Sequence, residues 1–205
     1  NGVSAGQCVG STLLDFKNEK DSLFTILHEH GHMVWGWPDL YNVKGGRGTG
    51  DYEVMSGNNF RFGPPNPSLL LKEGWIDALD ITSSGFVKLA ENGNVVARYV
   101  NPSNRKEFFL IEARNKANVT TANLTADRGL MIWHIDETVS SNRGVDGKKM
   151  SPQEHYRVSL EQADGKFDLE NGKNGGDAGD LFSPGKRFTS TTTPNSNWWD
   201  GSPSG

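Results

Sequence analysis

A helix that carries histidines four residues apart, inside an otherwise apolar run, leaves a chain few ways to fold around it. In "ILHEHGHMVWGWPDLYN", Ile26 to Asn42, three histidines and two carboxylates interrupt a stretch that otherwise reads as buried chain. A histidine or carboxylate taken out of water costs several kcal/mol unless it is hydrogen-bonded, paired or bound to a metal, so the stretch is either a surface or a site. Helical spacing stacks His28 above His32 on one face, within reach of a single ion. Asp21 or Ser22 can cap this helix, which is expected to run to about Val34 with Leu23, Phe24, Ile26 and Leu27 on its buried side. Gly36 and Pro38 end it.

Two histidines are too few for a catalytic zinc, which takes three protein ligands and keeps one position open. Gly36 lets the chain leave the helix sharply, and Asp39 on the returning segment is the expected third ligand. Its rivals are poorly placed: Asp51 lies beyond a glycine-rich loop, and Glu53 sits in the following turn. Glu29 lies beside His28 around the helix, where it can take a proton from a water at the metal, as in His-Glu-x-x-His hydrolases. His30 falls roughly 200° from His28 and is expected to point away, as a surface or supporting residue. Met55 in "YEVMSGN" is the expected sulfur-bearing floor beneath the ligands, there for packing and not for ligation. Tyr41 or Tyr52 is the expected oxyanion donor.

The rest of the chain narrows the setting. Its 205 residues suffice for a real core, and a net charge of -4 without a Lys/Arg block argues against nucleic acid as a partner. No apolar run is long enough to span a bilayer. The single cysteine, Cys8, excludes an internal disulfide. With 25 glycines and 9 prolines, a loop-rich α+β protein with short strands and few helices is expected. Residues 1–20 read as a loop around Leu13 and Leu14, and Pro67 and Ser68 begin a second helix, "PSLLLKEGWI", with Leu70, Leu71 and Trp75 facing the core. From Ile81 onward "GFVKLAE", "NVVARYV", "EFFLIEAR", "GLMIWHID" and "YRVSLEQ" predict a mainly antiparallel sheet. The switch places a boundary near residue 80, giving units 1–80 and 81–205.

Two further features carry chemistry. "ADGKFDLENGKNGGDAGDLF" gathers Asp164, Asp168, Glu170, Asp177 and Asp180 among glycines and asparagines, a composition able to wrap oxygen ligands around calcium, with Asp177 and Asp180 best placed. His134 alternates with apolar neighbours on an expected strand and reads as a satisfied core or surface histidine. Asn118 and Asn123 lie in Asn-x-Thr sequons, which matter only in a host that glycosylates.

Taken in order, "HEHGHMVWGWPDLYN", "GDYEVMSGN", "NPSLLLKEGWI", "EFFLIEAR", "GLMIWHIDE" and "GGDAGDLF" resemble the immune inhibitor A family of secreted bacterial metalloproteases, over about Ile26 to Gly205. The resemblance implies a metzincin-like zinc endopeptidase, secreted as a precursor, that cleaves extracellular proteins or peptides; the family's frequent calcium dependence adds to the acidic-tract reading. It also implies an α+β fold with an active-site helix, a Met turn and a second helix, followed by the β-rich region. Two departures stand out. One extra residue separates His32 from Gly36, and Gly57 stands where some metzincins have tyrosine. Only 27 residues precede His28, too few for the twisted sheet that metzincins place before this helix. That sheet is therefore expected to be absent or truncated here, or to belong to an upstream pro-segment or N-terminal part of the catalytic domain. A non-catalytic protein- or glycan-binding fragment of a larger secreted protein is the alternative.

Overall fold

The computed structural model describes residues 19–56, 62–115 and 128–204, with side chains from Leu23 onward. The expectations placed on Cys8, Leu13, Leu14, Gly57, Asn118 and Asn123, and on the side chains of Asp21 and Ser22, lie outside these described residues.

Helix α1 spans Glu19–His30 and passes directly into a π-helical turn, Gly31–Trp35. A 3-10 turn follows at Gly50–Tyr52, and helix α2 occupies Pro67–Lys72. Asn66 caps α2, its side chain accepting the Ser68 N–H at 3.0 Å, and Pro67 starts the helix where its missing N–H costs nothing. Five strands complete the fold: β1 (Asp77–Asp80), β2 (Val95–Val100), β3 (Glu107–Asn115), β4 (Arg128–Asp136) and β5 (Val158–Leu160). They form one mixed sheet in the order β1-β2-β3-β4-β5, parallel only between β1 and β2. The architecture is thus α+β with few helices, as expected.

The long β3–β4 pair, in register from Glu107 opposite Asp136 to Asn115 opposite Arg128, is the spine. Successive side chains point to opposite faces of a strand. Leu110, Met131, Trp133, Ile135, Val158 and Leu160 therefore share one face and pack with Phe24, Trp37, Leu40 and Met55. Phe109 and Ile132 take the other face, covered by Ala163, Phe182 and Trp198. The larger cluster draws on residues from both sides of position 80, so the helical part and the sheet share one core.

Three expectations fail in detail. "GFVKLAE" forms no strand: β1, within "DALD", already pairs with β2, and the segment touches the sheet through a single bridge, Glu91 to Ala113. Phe86 is fully exposed. Of the four apolar residues expected on the buried side of α1 only Phe24 is buried, while Leu23, Ile26 and Leu27 are 42–52% exposed, because the sheet core meets just the stripe holding Phe24, His28 and Gly31. On α2 the buried residues are Pro67 and Leu69; Leu71 packs half-buried against the main core as expected, whereas Trp75 lies beyond the helix, 48% exposed. Among the described residues no helix is long and apolar enough to cross a membrane.

This division predicts unequal costs of truncation. Leu110→Ala should destabilise the protein by about 2–5 kcal/mol in urea unfolding, whereas Leu27→Ala should stay within about 0.5 kcal/mol.

Candidate metal centre

The extra residue between His32 and Gly36 is taken up inside the helix. At Gly31 the α-helical ladder widens into a π turn, whose i→i+5 bonds enclose one residue more than an α turn. Gly36 then caps the helix in the left-handed conformation, at φ 62°, with its N–H returning to the carbonyls of Gly31 and His32. Trp37 N–H also reaches Gly31 O, at 3.1 Å. The α-helix expected to run to about Val34 thus ends at His30, and a π turn carries the chain on to Trp35. The widened turn absorbs the insertion, and "GWPD" still brings a carboxylate back to the histidines.

There the donors converge. The Nε2 atoms of His28 and His32 lie 3.1 Å apart. Asp39 Oδ1 stands 3.2 Å from the first and 3.0 Å from the second. The opposite ring nitrogens are both engaged: His28 Nδ1 donates to Val54 O at 3.0 Å, and His32 Nδ1 to Trp37 O at 2.6 Å. A carbonyl can only accept, so each Nδ1 carries a proton and each neutral ring presents the Nε2 lone pair inward. Two ring nitrogens and a carboxylate oxygen thus converge on one point, where a proton or a cation can sit between them. One added proton would satisfy a single contact, whereas one cation satisfies all three. Bonds of about 2.05 Å at tetrahedral angles place zinc ligands about 3.3 Å apart, close to this triangle. Among the described residues this is the only group of three or more metal-ligating side chains whose donor atoms all lie within 4.8 Å of one another.

The local electrostatics run the same way. Burial of the His28 ring disfavours its charged form, yet the bond to Asp39, the Val54 carbonyl and the charges of Asp39 and Glu29 raise its pKa overall. Burial likewise works against ionised Asp39, but the bond from His28 and the charge of His32 prevail, and its carboxyl is lowered. The pocket favours positive charge between these groups.

The surroundings fix this triangle from two sides. Met55 is fully buried against Gly31, where an added Cβ would come within 2.8 Å of the Met55 sulfur and 2.9 Å of the Trp37 ring. Glu53, also fully buried, accepts Met55 N–H at 2.9 Å and the Thr49 hydroxyl at 3.0 Å, holding the turn whose Val54 carbonyl orients His28. From the sheet side, the Asp39 carbonyl accepts Asn142 N–H at 3.2 Å and the Ser141 hydroxyl at 2.9 Å. Arg143 lies 3.4 Å from Asp39 Oδ2 and over the ring of Tyr41. Spacing along the chain gave no sign of Ser141, Asn142 or Arg143, and offered Glu53 only as a poorly placed rival ligand.

The remaining candidates divide. Glu29 is half-buried, forms no hydrogen bond or ion pair among the described residues, and is close enough for its charge to act on His28 and Tyr41. His30 is exposed and outside the triangle. Tyr41 sits beside the metal ligands, its ring centroid 6.0 Å from that of His28; burial and then the charge of Asp39 raise its hydroxyl pKa. Tyr52 is elsewhere, buried with its hydroxyl donating to Asp180 Oδ2 at 2.6 Å and to Asp177 O at 3.1 Å.

The acidic tract does not gather into a comparable set. Asp164 pairs with Lys166 and Asp168 with Lys173, Asp177 accepts from Asn174 and Gly179, and Asp180 is taken by Tyr52 and the Asp177 N–H. Comparison of the chain with protein-family models, curated proteins and solved structures gave no match.

Two substitutions test the assembly. Asp39→Ala should lower zinc affinity at least about tenfold in a competition titration, because it removes a direct donor, while Asp51→Ala should leave it unchanged. Gly31→Ala, which forces a Cβ against Met55 and Trp37, should cost about 1–3 kcal/mol in stability and weaken zinc binding with it.

Proposed function

We propose that the chain carries the metal centre of a zinc-dependent endopeptidase acting on extracellular proteins, with His28, His32 and Asp39 as ligands and Glu29 as the general base. The single observation that carries this reading is the donor triangle, with both Nδ1 atoms tied to carbonyls and both Nε2 lone pairs turned towards Asp39. Two imidazoles and one carboxylate form a ligand set suited to a catalytic zinc. Zinc, when bound, supplies a Lewis acid that polarises a carbonyl and acidifies water towards neutrality.

The protein's own groups supply the rest. Glu29, unpaired and one residue from His28, is placed to take a proton on its carboxylate and return it to the departing amine. Tyr41, beside Asp39 and with a raised pKa, keeps its proton and can donate it in a hydrogen bond to a developing oxyanion. An apolar cavity of about 590 Å3, with Leu27, Trp35, Phe62 and Trp75 among its walls, also borders Gly31 and Val54, the immediate neighbours of the ligand set. None of the proposed ligands lines it, and His30 does, so it lies on the other side of α1 from the donor triangle. The order of the motifs resembles the immune inhibitor A family and supports the same activity, a metzincin-like arrangement and a secreted setting.

In the full protein, Glu29→Gln should keep zinc stoichiometry and lose casein cleavage by at least about a hundredfold. A chelator should abolish the parent activity and added zinc restore it. Cleavage by zinc-replete Glu29→Gln at the parent rate would remove Glu29 from its role. Binding of protein or glycan without proteolysis, after zinc is restored, would favour a non-catalytic module instead.

A further inference from the structure

The face of the sheet turned away from the metal centre carries a second polar cavity. β5 sends Val158 and Leu160 into the main core and Ser159 to the other side, next to its register partner His134. A cavity of about 310 Å3 opens there. Three of its lining side chains hold a buried polar atom with no hydrogen-bond partner: the Ser159 hydroxyl, Asn197 Oδ1 and Trp199 Nε1. Ser159 itself is only 4% exposed. Each such orphan costs about 1–3 kcal/mol, so the cavity is built short of partners.

It is short of positive charge as well. Glu161 and Glu170 both line it, and no lysine or arginine does. The one basic ring, His134, is committed: Nε2 lies 3.0 Å from Glu107 and Nδ1 3.4 Å from Glu161. Burial, with the nearby charge of Glu161 adding to it, pushes the Glu170 carboxyl up to about 7. Trp198, Trp199 and Phe167 complete the walls with aromatic surface.

The orphan atoms narrow the class of occupant. Trp199 Nε1–H needs an acceptor, Asn197 Oδ1 needs a donor, and Ser159 can serve as either. A simple amine offers only donors. A bare metal ion could take Asn197 Oδ1 and the carboxylates as ligands but leaves Trp199 Nε1–H without an acceptor, and a sugar brings no positive charge to Glu161 and Glu170. A lysine side chain with its flanking peptide groups offers an ammonium for Glu161 and Glu170, a carbonyl for Trp199 and an N–H for Asn197. We propose that this cavity is a binding site for a basic peptide side chain, separate from the metal centre and on the opposite face of the sheet.

The test uses chelator-treated protein, so that its result does not depend on the zinc reading. Nα-acetyl-lysine methylamide should give saturable binding in ligand-observed NMR. The norleucine analogue, which lacks the charge, and n-butylamine, which lacks the peptide groups, should each bind at least tenfold more weakly. Glu161→Gln should weaken the lysine probe at least tenfold. Ser159→Ala, which deletes an orphan hydroxyl and should leave Tm unchanged or higher, should weaken it severalfold. The proposal is overturned if no probe binds saturably, which leaves water as the occupant, or if norleucine or n-butylamine binds as well as the lysine probe. It is equally overturned if folded Ser159→Ala binds that probe as the parent does.

Discussion

Three lone pairs held within about 3 Å of each other are the constraint on which the rest of this structure turns. Oriented this way, the two Nε2 atoms and Asp39 Oδ1 favour a positive charge between them. They stay because each is fixed from behind. The Val54 carbonyl takes one ring, the Trp37 carbonyl takes the other, and Ser141 and Asn142 hold the backbone of the aspartate. The site is therefore preorganised by main-chain groups, which do not change rotamer when a ligand arrives.

That arrangement ties the helical part to the sheet. Asn142 is fully buried in the loop after β4, where it donates to Leu40 O at 3.1 Å and to Val158 O at 2.7 Å, and accepts Val158 N–H at 3.1 Å. One side chain thus pins the segment next to Asp39 to strand β5. A boundary at residue 80 follows the change of periodicity in the sequence, but it does not follow the hydrogen bonds. The metal centre is assembled from one side of that boundary and braced from the other.

How much of this was legible follows from the range of each interaction. The pairing of His28 with His32 depends only on helical period, and the return of Asp39 only on a glycine free to adopt positive φ, so both could be read locally. The π turn could not. An extra residue before Gly36 fits a longer α-helix, a longer loop or a widened turn equally well, and the choice is made by Met55 and Trp37 pressing on Gly31. The face alternation of β3, β4 and β5 was readable from period two, whereas β1 was not, because "DALD" carries little apolar signal and exists as a strand only through parallel pairing with β2. The exposure of Leu23, Ile26 and Leu27 shows the opposite error. Apolar composition marks what a helix can bury, and contact with the core decides what it does bury.

The same limit explains why the histidines of this chain cannot be sorted by sequence. His28 and His32 each have one nitrogen on a carbonyl, but their Nε2 atoms also converge on each other, 3.1 Å apart, and on a single oxygen of Asp39, so three metal-ligating side chains meet at one point. His134 stands between Glu107 and Glu161, and His155 between the Ser151 carbonyl and Asp136, so in both rings each nitrogen is already engaged. Trp199 stacks nearly parallel on both of these rings, at 4.9 and 4.3 Å. A ring bonded on both edges and covered on a face has no free donor to offer a metal. It packs instead, and for His134 this is the satisfied core histidine that the alternation around it suggested. Four imidazoles with similar intrinsic chemistry are thereby divided into two candidate ligands and two structural pillars, and the division is made by which rings the fold brings together around one carboxylate oxygen.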